Sequence, residues 1–249
     1  MTTQKRIAVV TGSNKGLGYA IARKLAQVEG VRVVLTSRNE QDGLAAQSRL
    51  CQEGIETDYH RLDVTRDESV QSFTIWLQQT YGRADILVNN AGVNPTAQPE
   101  EASLMSVSLE TMLSTFSTNV LAVARITQAL LPLMKQNNYG RIVNVSTEMA
   151  TLATMGNDYY PLAPSYRLSK IGLNGFTAIL AKELKGTNIL VNAYSPGWMK
   201  TDMGGGDAPF TADEGAETAI YLATLPEGGA QGQFFAEMRK FGGAIALPW

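Results

Sequence analysis

Short apolar runs rich in β-branched residues alternate with longer amphipathic stretches along this chain. The short runs predict β-strands at Arg6–Val10, Arg32–Thr36, Thr57–Leu62, Ile86–Asn89, Gly140–Ser146 and Ile189–Ser195, with a weaker seventh at Gln231–Phe235. The longer stretches predict helices at Leu17–Gln27, Gln41–Glu53, Glu68–Thr80, Leu109–Lys135, Tyr166–Lys185 and Ala212–Thr224. Strands and helices therefore alternate along most of the sequence.

This alternation is typical of a mostly parallel sheet covered by helices on both faces. Right-handed crossovers then give a doubly wound α/β fold, here with about seven strands. No linker, repeat or low-complexity segment divides the 249 residues, so we expect a single domain over residues 1–249. The least regular segments are Pro95–Ser106, Met149–Ser165 and Met199–Phe210, which follow the fourth, fifth and sixth strands. Loops at that edge of such a sheet bind ligands.

The composition excludes several functional classes. A hydrophobic content of 44% with 18% charged residues is ordinary for a globular protein with a sizeable core. The net charge of -2 gives no support to a nucleic-acid surface, and no apolar run is long enough to span a membrane. Cys51 and His60 are the only residues of their types, which argues against a metal site. The lone cysteine also fits a reducing, cytoplasmic location.

A glycine-rich loop joins the first strand to the first helix. Its sequence is Thr11-Gly12-Ser13-Asn14-Lys15-Gly16-Leu17-Gly18. Glycines at these spacings allow a tight turn and let a pyrophosphate approach the backbone amides at the helix N-terminus. The spacing differs from the commoner Gly-x-Gly-x-x-Gly, and an ordinary strand-to-helix turn is the alternative. The position at the first βα junction favours dinucleotide binding by Gly12, Asn14, Lys15, Gly16, Leu17 and Gly18.

The charges after the second strand indicate which dinucleotide binds. Sites that prefer NAD carry an acidic residue there to hold the ribose 2′-hydroxyl. This chain has Ser37 and Arg38 instead, and Lys15 lies in the glycine loop near the same ribose. A hydroxyl and two cations suit a 2′-phosphate, so we expect NADPH or NADP+. The alternative is that both cations are solvated surface residues.

The third and fourth strands end in further candidate cofactor contacts. Asp63-Val64 follows strand three, where Asp63 would accept a hydrogen bond from the adenine amino group, or alternatively cap a helix or turn. Asn89-Asn90-Ala91-Gly92 follows strand four. Its small residues would let the backbone pass close to the adenine ribose, and its asparagines would tie neighbouring strands together. A plain turn is the alternative there.

A phenol and an ammonium lie four residues apart in Tyr166-x-x-x-Lys170. On a helix, side chains at this spacing lie on the same face, one turn apart. An ammonium at ~4 Å, with an effective dielectric of ~20, favours the phenolate by up to about 4 kcal/mol, or nearly three pKa units. We therefore expect Tyr166 to act as an acid/base group near neutral pH. Such pairs also occur by chance, so the hypothesis depends on the accompanying motifs.

The motifs occur together and in order along nearly the whole chain, which resembles the short-chain dehydrogenase/reductase family. The resemblance is carried by Thr11-Gly12-x-x-x-Gly16-x-Gly18, Asn89-Asn90-Ala91-Gly92, Asn119, Ser146, Tyr166-x-x-x-Lys170, and Pro196-Gly197 ahead of Thr201. Within the family the chain is most similar to NADPH-dependent carbonyl reductases, through residues 11–16 and 195–203 and the Lys15/Arg38 pair. The resemblance implies a Rossmann-type fold, NAD(P)(H)-dependent carbonyl and alcohol chemistry, and frequently an oligomer.

The resemblance also implies roles for four catalytic residues. Tyr166 would be the general acid for ketone reduction and the base for alcohol oxidation. Lys170 would lower its pKa and bond the nicotinamide ribose, and Ser146 would donate to the substrate oxygen. Asn119 would hold a water that links Lys170 to solvent. The alternatives are that Ser146 simply ends a strand and that Asn119 only bends its helix.

The segment after the sixth strand would complete the cofactor site. By resemblance, Pro196, Gly197 and Met199 would pack on the nicotinamide, and Thr201 would contact its carboxamide or the diphosphate. Nearby Trp198 and Met203 are candidate substrate-pocket residues. For these two and for Met199, burial in the core is the alternative.

The spacing of 20 residues between Ser146 and Tyr166 is longer than is common in the family. The extra length lies in residues 147–165, and we expect it to supply part of the substrate pocket. The candidate residues are Glu148, Met149, Met155, Tyr159 and Tyr160. An apolar, aromatic wall would suit a bulky or aromatic ketone, and a surface flap clear of the substrate is the alternative. Because some carbonyl reductases with a longer insertion are monomeric, a homodimer, a homotetramer and a monomer all remain open.

These features together predict an NADPH-dependent oxidoreductase that reduces ketones or aldehydes to alcohols, with small-molecule carbonyl or alcohol substrates. A β-ketoacyl or hydroxysteroid reductase would use the same catalytic residues with a different pocket. A dinucleotide-binding sensor without activity is the alternative from another functional class, since a fold alone does not fix function. The complete Ser146, Tyr166 and Lys170 set argues against the sensor.

Overall fold

The computed structural model describes residues 5–249, and eight β-strands within them form one sheet. The strands are β1 Arg6–Val10, β2 Val31–Ser37, β3 Asp58–Arg61, β4 Ile86–Asn89, β5 Gly140–Val145, β6 Ile189–Tyr194, β7 Phe234–Phe235 and β8 Ala246–Leu247. The order across the sheet is β3-β2-β1-β4-β5-β6-β7-β8. Only the β7–β8 pair is antiparallel.

The helices of the described chain connect these strands and cover the sheet. They are α1 Gly16–Ala26, α2 Glu40–Gln52, α3 Asp67–Tyr81, α4 Leu109–Phe116, α5 Ala122–Gln136, α6 Pro164–Glu183, α7 Ala212–Gly215, α8 Glu217–Ala223 and α9 Met238–Phe241. Short 3-10 turns occur at Pro99–Ala102, Glu148–Ala150 and Leu152–Thr154, and a π-helical turn occurs at Ser117–Leu121.

Two hydrophobic clusters pack on opposite faces of the sheet. One joins apolar strand residues to α1, α2 and α8, with Ile21 and Leu222 among its buried members. The other joins them to α3, α5 and α6, with Phe73, Ile126 and Leu180 among its buried members. Because β1, β2, β4, β5 and β6 each contribute apolar side chains to both clusters, these strands are buried on both faces.

The predicted fold class is confirmed, and the first six strands lie where the apolar pattern placed them. The weaker seventh candidate is a strand only at Phe234–Phe235. The eighth strand, Ala246–Leu247, was not predicted. Two residues are too few to show an alternating pattern, so only the pairing with Phe234 and Phe235 defines this strand.

The fourth predicted helix is interrupted. The π-helical turn at Ser117–Leu121 separates α4 from α5, where the sequence pattern predicted a continuous helix over Leu109–Lys135. A π-turn adds one residue to a helical turn and barely changes the hydrophobic periodicity, so the pattern does not reveal it.

The strand order reverses between β1 and β4, whose neighbours lie on opposite sides. A crevice at such a point, beyond the carboxyl ends of the strands, is where doubly wound sheets bind ligands. The glycine loop follows β1 there, and Asn90 follows β4. The segments predicted to be irregular follow β4, β5 and β6 at the same edge. The fold therefore brings all the candidate motifs to one side of the sheet.

Candidate active site

The glycine loop and the end of β4 are tied together by hydrogen bonds. The Thr11 hydroxyl accepts from the backbone N–H groups of Asn90 and Ala91, both at 3.0 Å. The Asn90 side-chain amide donates to the carbonyls of Thr11 at 2.9 Å and Gly12 at 3.0 Å. Asn90 therefore helps to fix the conformation of the glycine loop. The motif after β4 is more than the plain turn that the alternative interpretation predicted.

The glycines of this loop keep a cradle open for a nucleotide. Gly12 and Gly16 have positive φ values of 63° and 57°, which other residues rarely adopt. A Cβ on Gly18 would come within 2.4 Å of both the Asn90 amide nitrogen and the Gly12 carbonyl. A Cβ at Gly16 would lie 3.5 Å from the Thr201 methyl group, so the segment after β6 borders the loop. The backbone here could not accommodate larger residues.

The two cations predicted to bind the phosphate have different surroundings in the structure. The Lys15 ammonium lies 2.6 Å from an Asp202 carboxylate oxygen, and this contact raises the pKa of Lys15 and lowers that of Asp202. Arg38 instead lines an open cavity of about 560 Å³ together with Arg61. The Ser37 hydroxyl does not face this cavity as a free donor, because it donates to the Asn39 carbonyl at 2.5 Å.

Asp63 occupies a turn beside this cavity. Its Oδ1 accepts hydrogen bonds from the backbone N–H and the hydroxyl of Thr65, at 3.0 and 2.6 Å. Although burial alone raises the pKa of the Asp63 carboxyl, the Thr65 bonds and nearby Arg38 hold it below its ordinary value. Asp63 is therefore a turn residue, as the alternative interpretation predicted. Its second carboxylate oxygen makes no hydrogen bond to residues 5–249. Val64, the next residue, is buried.

Tyr166 and Lys170 lie on α6 and are both buried, with 9% and 5% of their surfaces exposed. The Lys170 ammonium donates to the Val145 carbonyl at 2.7 Å and lies 5.8 Å from the centre of the Tyr166 ring. This contact holds one face of α6 against the end of β5. The predicted helical spacing therefore places Tyr166 and Lys170 on the part of α6 that contacts Val145, the residue before Ser146.

The pKa of Tyr166 moves in the direction opposite to the one predicted. Burial raises it to about 12, and burial lowers the pKa of Lys170 to about 8. The prediction of a lowered tyrosine pKa is corrected because it counted the neighbouring charge and left out the loss of water around the phenol. At pH 7 both groups hold their protons.

The Ser146 hydroxyl is engaged by a residue that the sequence analysis did not identify. It donates to the Asn174 side-chain oxygen at 2.7 Å, and both residues are almost fully buried. The Asn174 amide nitrogen is buried without a hydrogen-bond partner. Asn174 lies four residues beyond Lys170 on α6, so the helical spacing that linked Tyr166 to Lys170 could have pointed to it.

Asn119 lies in the π-helical turn and is fully buried. Its Oδ1 accepts from the Val93 N–H at 2.8 Å, while its Nδ2 donates to the Val93 carbonyl and the Ser169 hydroxyl, both at 2.9 Å. The side chain thus ties the loop after β4 to α6. A Cβ at Gly92 would lie 3.0 Å from Asn119 Oδ1 and 3.7 Å from the Lys170 nitrogen, so only glycine keeps this junction open.

The segment after β6 divides between the core and the surface. Pro196 is buried, and Gly197 adopts a positive φ of 78°. The Met199 sulfur lies 2.3 Å from where a Cβ on Gly215 of α7 would be, and Met199 packs on the core cluster of that face. Trp198 and Met203 are more than half exposed. The core alternative therefore holds for Met199 and not for the other two.

The insertion at residues 147–165 is fastened to α6 and to the C-terminal part of the chain. Tyr160 donates to Glu148 at 2.8 Å, and the Lys240 ammonium contacts the same carboxylate oxygen at 3.1 Å. Arg167, next to Tyr166, is buried and contacts the Met155 sulfur at 2.8 Å and the Tyr160 carbonyl at 3.2 Å. Of the predicted pocket residues in the insertion, these contacts hold Glu148, Met155 and Tyr160.

Tyr159 is 81% exposed and packs edge-on against the Tyr160 ring. Met149 lies in the 3-10 turn Glu148–Ala150. The insertion therefore combines a fixed base with an exposed apolar outer surface.

A buried carboxylate supports the start of α6. Glu101 is 2% exposed, and its Oε2 accepts from the Ser165 N–H at 3.1 Å in the first turn of the helix. The residue before this turn, Ala163, has a positive φ of 41° and offers no side-chain cap. The cap comes from a loop 64 residues earlier in the chain, and no local sequence signal indicates it.

Two other kinds of site are absent from residues 5–249. That part of the chain contains no group of three or more His, Cys, Asp or Glu residues placed to hold a metal ion. None of its helices combines the length and apolar character needed to cross a membrane.

Comparison with known proteins places these features in a family. The sequence model of the family described as short chain dehydrogenase matches residues 6–210. Carbonyl reductase (NADPH) 3 of Rattus norvegicus is 34% identical over 266 residues, covering 91% of this chain and 93% of that protein. Carbonyl reductase (NADPH) 1 of Sus scrofa is 33% identical over 300 residues, covering 100% of this chain and 99% of that protein.

Solved structures show the same likeness. NADPH-bound carbonyl reductase from chicken fatty liver has a TM-score of 0.85 and 25% identity, covering 99% of this chain and 100% of that one. Salutaridine reductase from Papaver somniferum has a TM-score of 0.81 and 29% identity, covering 92% of this chain and 99% of that one.

Proposed function

The chain belongs to the short-chain dehydrogenase family, and from this premise we propose that it is an NADPH-dependent reductase of ketones or aldehydes. The observation that carries the proposal is the way α6 is held against the end of β5. The Lys170–Val145 and Ser146–Asn174 hydrogen bonds, both 2.7 Å, bring the Tyr166 face of α6 to Ser146. The names of the curated relatives, carbonyl reductases that use NADPH, agree with this chemistry.

Tyr166 serves as the general acid. Because burial raises its pKa to about 12, the phenol is protonated at pH 7 and has a proton to donate. NADPH, when bound, supplies the hydride for the carbonyl carbon. An alkoxide is a stronger base than a phenolate, so proton transfer from Tyr166 to the developing alkoxide oxygen remains favourable despite the raised pKa.

Lys170 and Ser146 stabilise the charges that this transfer creates. The pKa of Lys170, about 8, leaves most of the side chain cationic at pH 7, so its charge favours the phenolate left behind on Tyr166. The Ser146 hydroxyl donates to the substrate oxygen as negative charge develops there. To do so it turns from Asn174, which then uses its unpartnered amide nitrogen to donate to the Ser146 oxygen.

The nucleotide-binding role belongs to the residues at the ends of β1, β2 and β4. Gly12, Gly16 and Gly18 leave the cradle that the pyrophosphate would occupy. Arg38 lies at the end of β2, where a basic residue favours NADPH over NADH. Thr201 borders the glycine loop from the opposite side, which supports the contact with the diphosphate.

The exposed outer surface of the site suggests the kind of substrate. Leu152, Tyr159, Leu162, Trp198 and Met203 are each more than half exposed, and they lie in the segments that follow β5 and β6. Because β5 and β6 are parallel neighbours, both segments leave the edge of the sheet where Ser146 lies, and exposed apolar side chains at that edge favour apolar ligands. We infer that a bulky, apolar or aromatic ketone fits this chain better than a small polar one.

The test is NADPH consumption by the purified protein with three carbonyl classes: aryl ketones, β-ketoacyl thioesters and ketosteroids. We expect turnover of aryl ketones, and loss of at least about 1,000-fold in kcat for Tyr166→Phe at unchanged NADPH affinity. Preferred turnover of thioesters or steroids would assign the alternative reductase activities. Tight NADPH binding with no turnover of any carbonyl would refute the reductase and favour the sensor.

A further inference from the structure

We propose that Arg61 binds the 2′-phosphate of NADPH together with Arg38, so that two guanidinium groups from neighbouring strands recognise this phosphate. The inference rests on the proposed use of NADPH and adds a residue that the sequence analysis did not identify. It also replaces Lys15 as the second cation of the phosphate site.

The first observation is the cavity at the ends of β2 and β3. Arg61 pairs with Ser37 across these parallel strands, so the last residue of β3 lies beside the residue that precedes Arg38. The resulting cavity of about 560 Å³ is lined by Arg38, Asn39, Glu40, Gln41 and Arg61. It lies where a basic residue after the second strand contacts the adenosine ribose in doubly wound folds.

The second observation is how the two arginines are held. Arg61 Nε donates to the Arg38 carbonyl at 3.1 Å, which positions the Arg61 guanidinium over the cavity wall. Its two terminal nitrogens make no hydrogen bond to residues 5–249, and neither does the Arg38 guanidinium. A guanidinium presents parallel donors that match phosphate oxygens, so both groups are ready to bind a doubly charged phosphate.

Lys15 is in a different situation. Its ammonium already contacts Asp202 at 2.6 Å, and this ion pair links the glycine loop to the segment after β6. A phosphate would have to compete with that carboxylate for Lys15. No acidic side chain forms a salt bridge to Arg38 or Arg61 in the described part of the chain. The two arginines are therefore the cations that a phosphate can reach without displacing a partner.

Glu40 allows a test of whether the charges at this cavity control phosphate binding. Its carboxylate lines the same cavity and opposes an anion there. Removing the Glu40 charge should strengthen phosphate binding, whereas removing either arginine charge should weaken it. A purely structural role for Arg61 predicts no such opposite pair of effects.

The experiment measures dissociation constants of the purified protein by titration calorimetry with NADPH, NADH and adenosine 2′-monophosphate. Charge-assisted hydrogen bonds to phosphate predict that Arg61→Gln raises Kd for NADPH and adenosine 2′-monophosphate about 10- to 100-fold, with NADH within about twofold. Glu40→Gln should lower Kd for the two phosphate-bearing ligands a few-fold. Arg61→Lys keeps the positive charge but loses the paired donors of the guanidinium. Its Kd values for the two phosphate-bearing ligands should lie between those of Arg61→Gln and the unmodified protein.

The matched control is Arg66→Gln, an exposed arginine outside the cavity, 3.9 Å from Glu68. It should leave all three constants unchanged, and thermal melts check that each variant is folded. The inference is overturned if Arg61→Gln weakens NADPH and NADH equally, or neither. A protein that binds NADH and not NADPH, before any substitution, would refute the proposed cofactor itself. The two failures are thus distinguishable.

Discussion

Replacing Lys170 by methionine should stabilise the folded protein while it removes activity. The side chain is 5% exposed, and its ammonium donates a 2.7 Å hydrogen bond to the Val145 carbonyl. Methionine fills a similar space with an unbranched apolar chain and carries no charge to desolvate. The substitution therefore isolates the free-energy cost of keeping an ammonium in this site.

The magnitude follows from the pKa of the buried ammonium. Burial lowers it from the ordinary 10.5 to about 8. At about 1.4 kcal/mol per pKa unit, the charged form costs the folded state roughly 3 kcal/mol at pH 7. Loss of the hydrogen bond to Val145 destabilises the variant by about 1 kcal/mol. The free energy of unfolding of Lys170→Met should therefore exceed that of the parent protein by roughly 2 kcal/mol. For a chain of this size we expect a Tm higher by about 4–8 °C.

The pH dependence provides a signature of this cause. Because the folded pKa lies below the unfolded value, the unfolded state binds more protons between pH 8 and 10.5, and the parent protein gains stability as pH rises through that window. The stability advantage of Lys170→Met should therefore be full below pH 8 and shrink towards pH 10.5.

The assay is calorimetric or spectroscopic thermal unfolding without cofactor, at a series of pH values. Lys182→Met is the matched control, because Lys182 lies on the same helix and is exposed. It should change the free energy of unfolding by less than about 0.5 kcal/mol. A Tm for Lys170→Met equal to or below that of the parent protein would refute the desolvation reasoning, as would a stability gain that does not change with pH.

Three further predictions concern the catalytic helix. The steady-state kcat for reduction should fall as pH rises above about 8, where Lys170 loses its proton, and a profile flat to pH 10 would contradict the role assigned to its charge. Glu101→Ala should lower the free energy of unfolding by about 1–3 kcal/mol by uncapping α6, measured in urea, with Glu101→Gln retaining most of the stability. Asn174→Asp should reduce kcat more than Asn174→Ala. A carboxylate can only accept, so it would hold the Ser146 hydroxyl as a donor to itself and away from the substrate. Equal kcat values for the two variants would show that this hydrogen bond has no catalytic consequence.

Much of the fold was predictable because its signals are local. The apolar runs located β1 to β6, and the glycine loop and the Tyr166–Lys170 spacing located the nucleotide and catalytic motifs. The family resemblance stated from these motifs is confirmed by the match over residues 6–210. The π-turn around Asn119 and the two-residue strand β8 were missed, because neither changes the hydrophobic pattern.

Partners distant in sequence could not be predicted. Lys15 and Asp202 are 187 residues apart, and Glu101 and the Ser165 N–H that it caps are 64 apart. A sequence shows that a cation or a hydroxyl is present, but not which group it contacts. The ion pair of Lys15 with Asp202 and the position of Arg61 beside Arg38 were for this reason not foreseen, and the contact of Lys15 with the phosphate stays a prediction.

The sequence by itself determined the order of strands and helices, the glycine cradle and the placement of a phenol and an ammonium on one face of a helix. These depend on periodicity and backbone freedom, which act over a few residues. Only the tertiary structure decided how those groups ionise and which charges remain available to a ligand. Solvent exclusion and long-range pairing set these two properties. Burial raises the pKa of Tyr166, where the spacing alone predicted that it would fall.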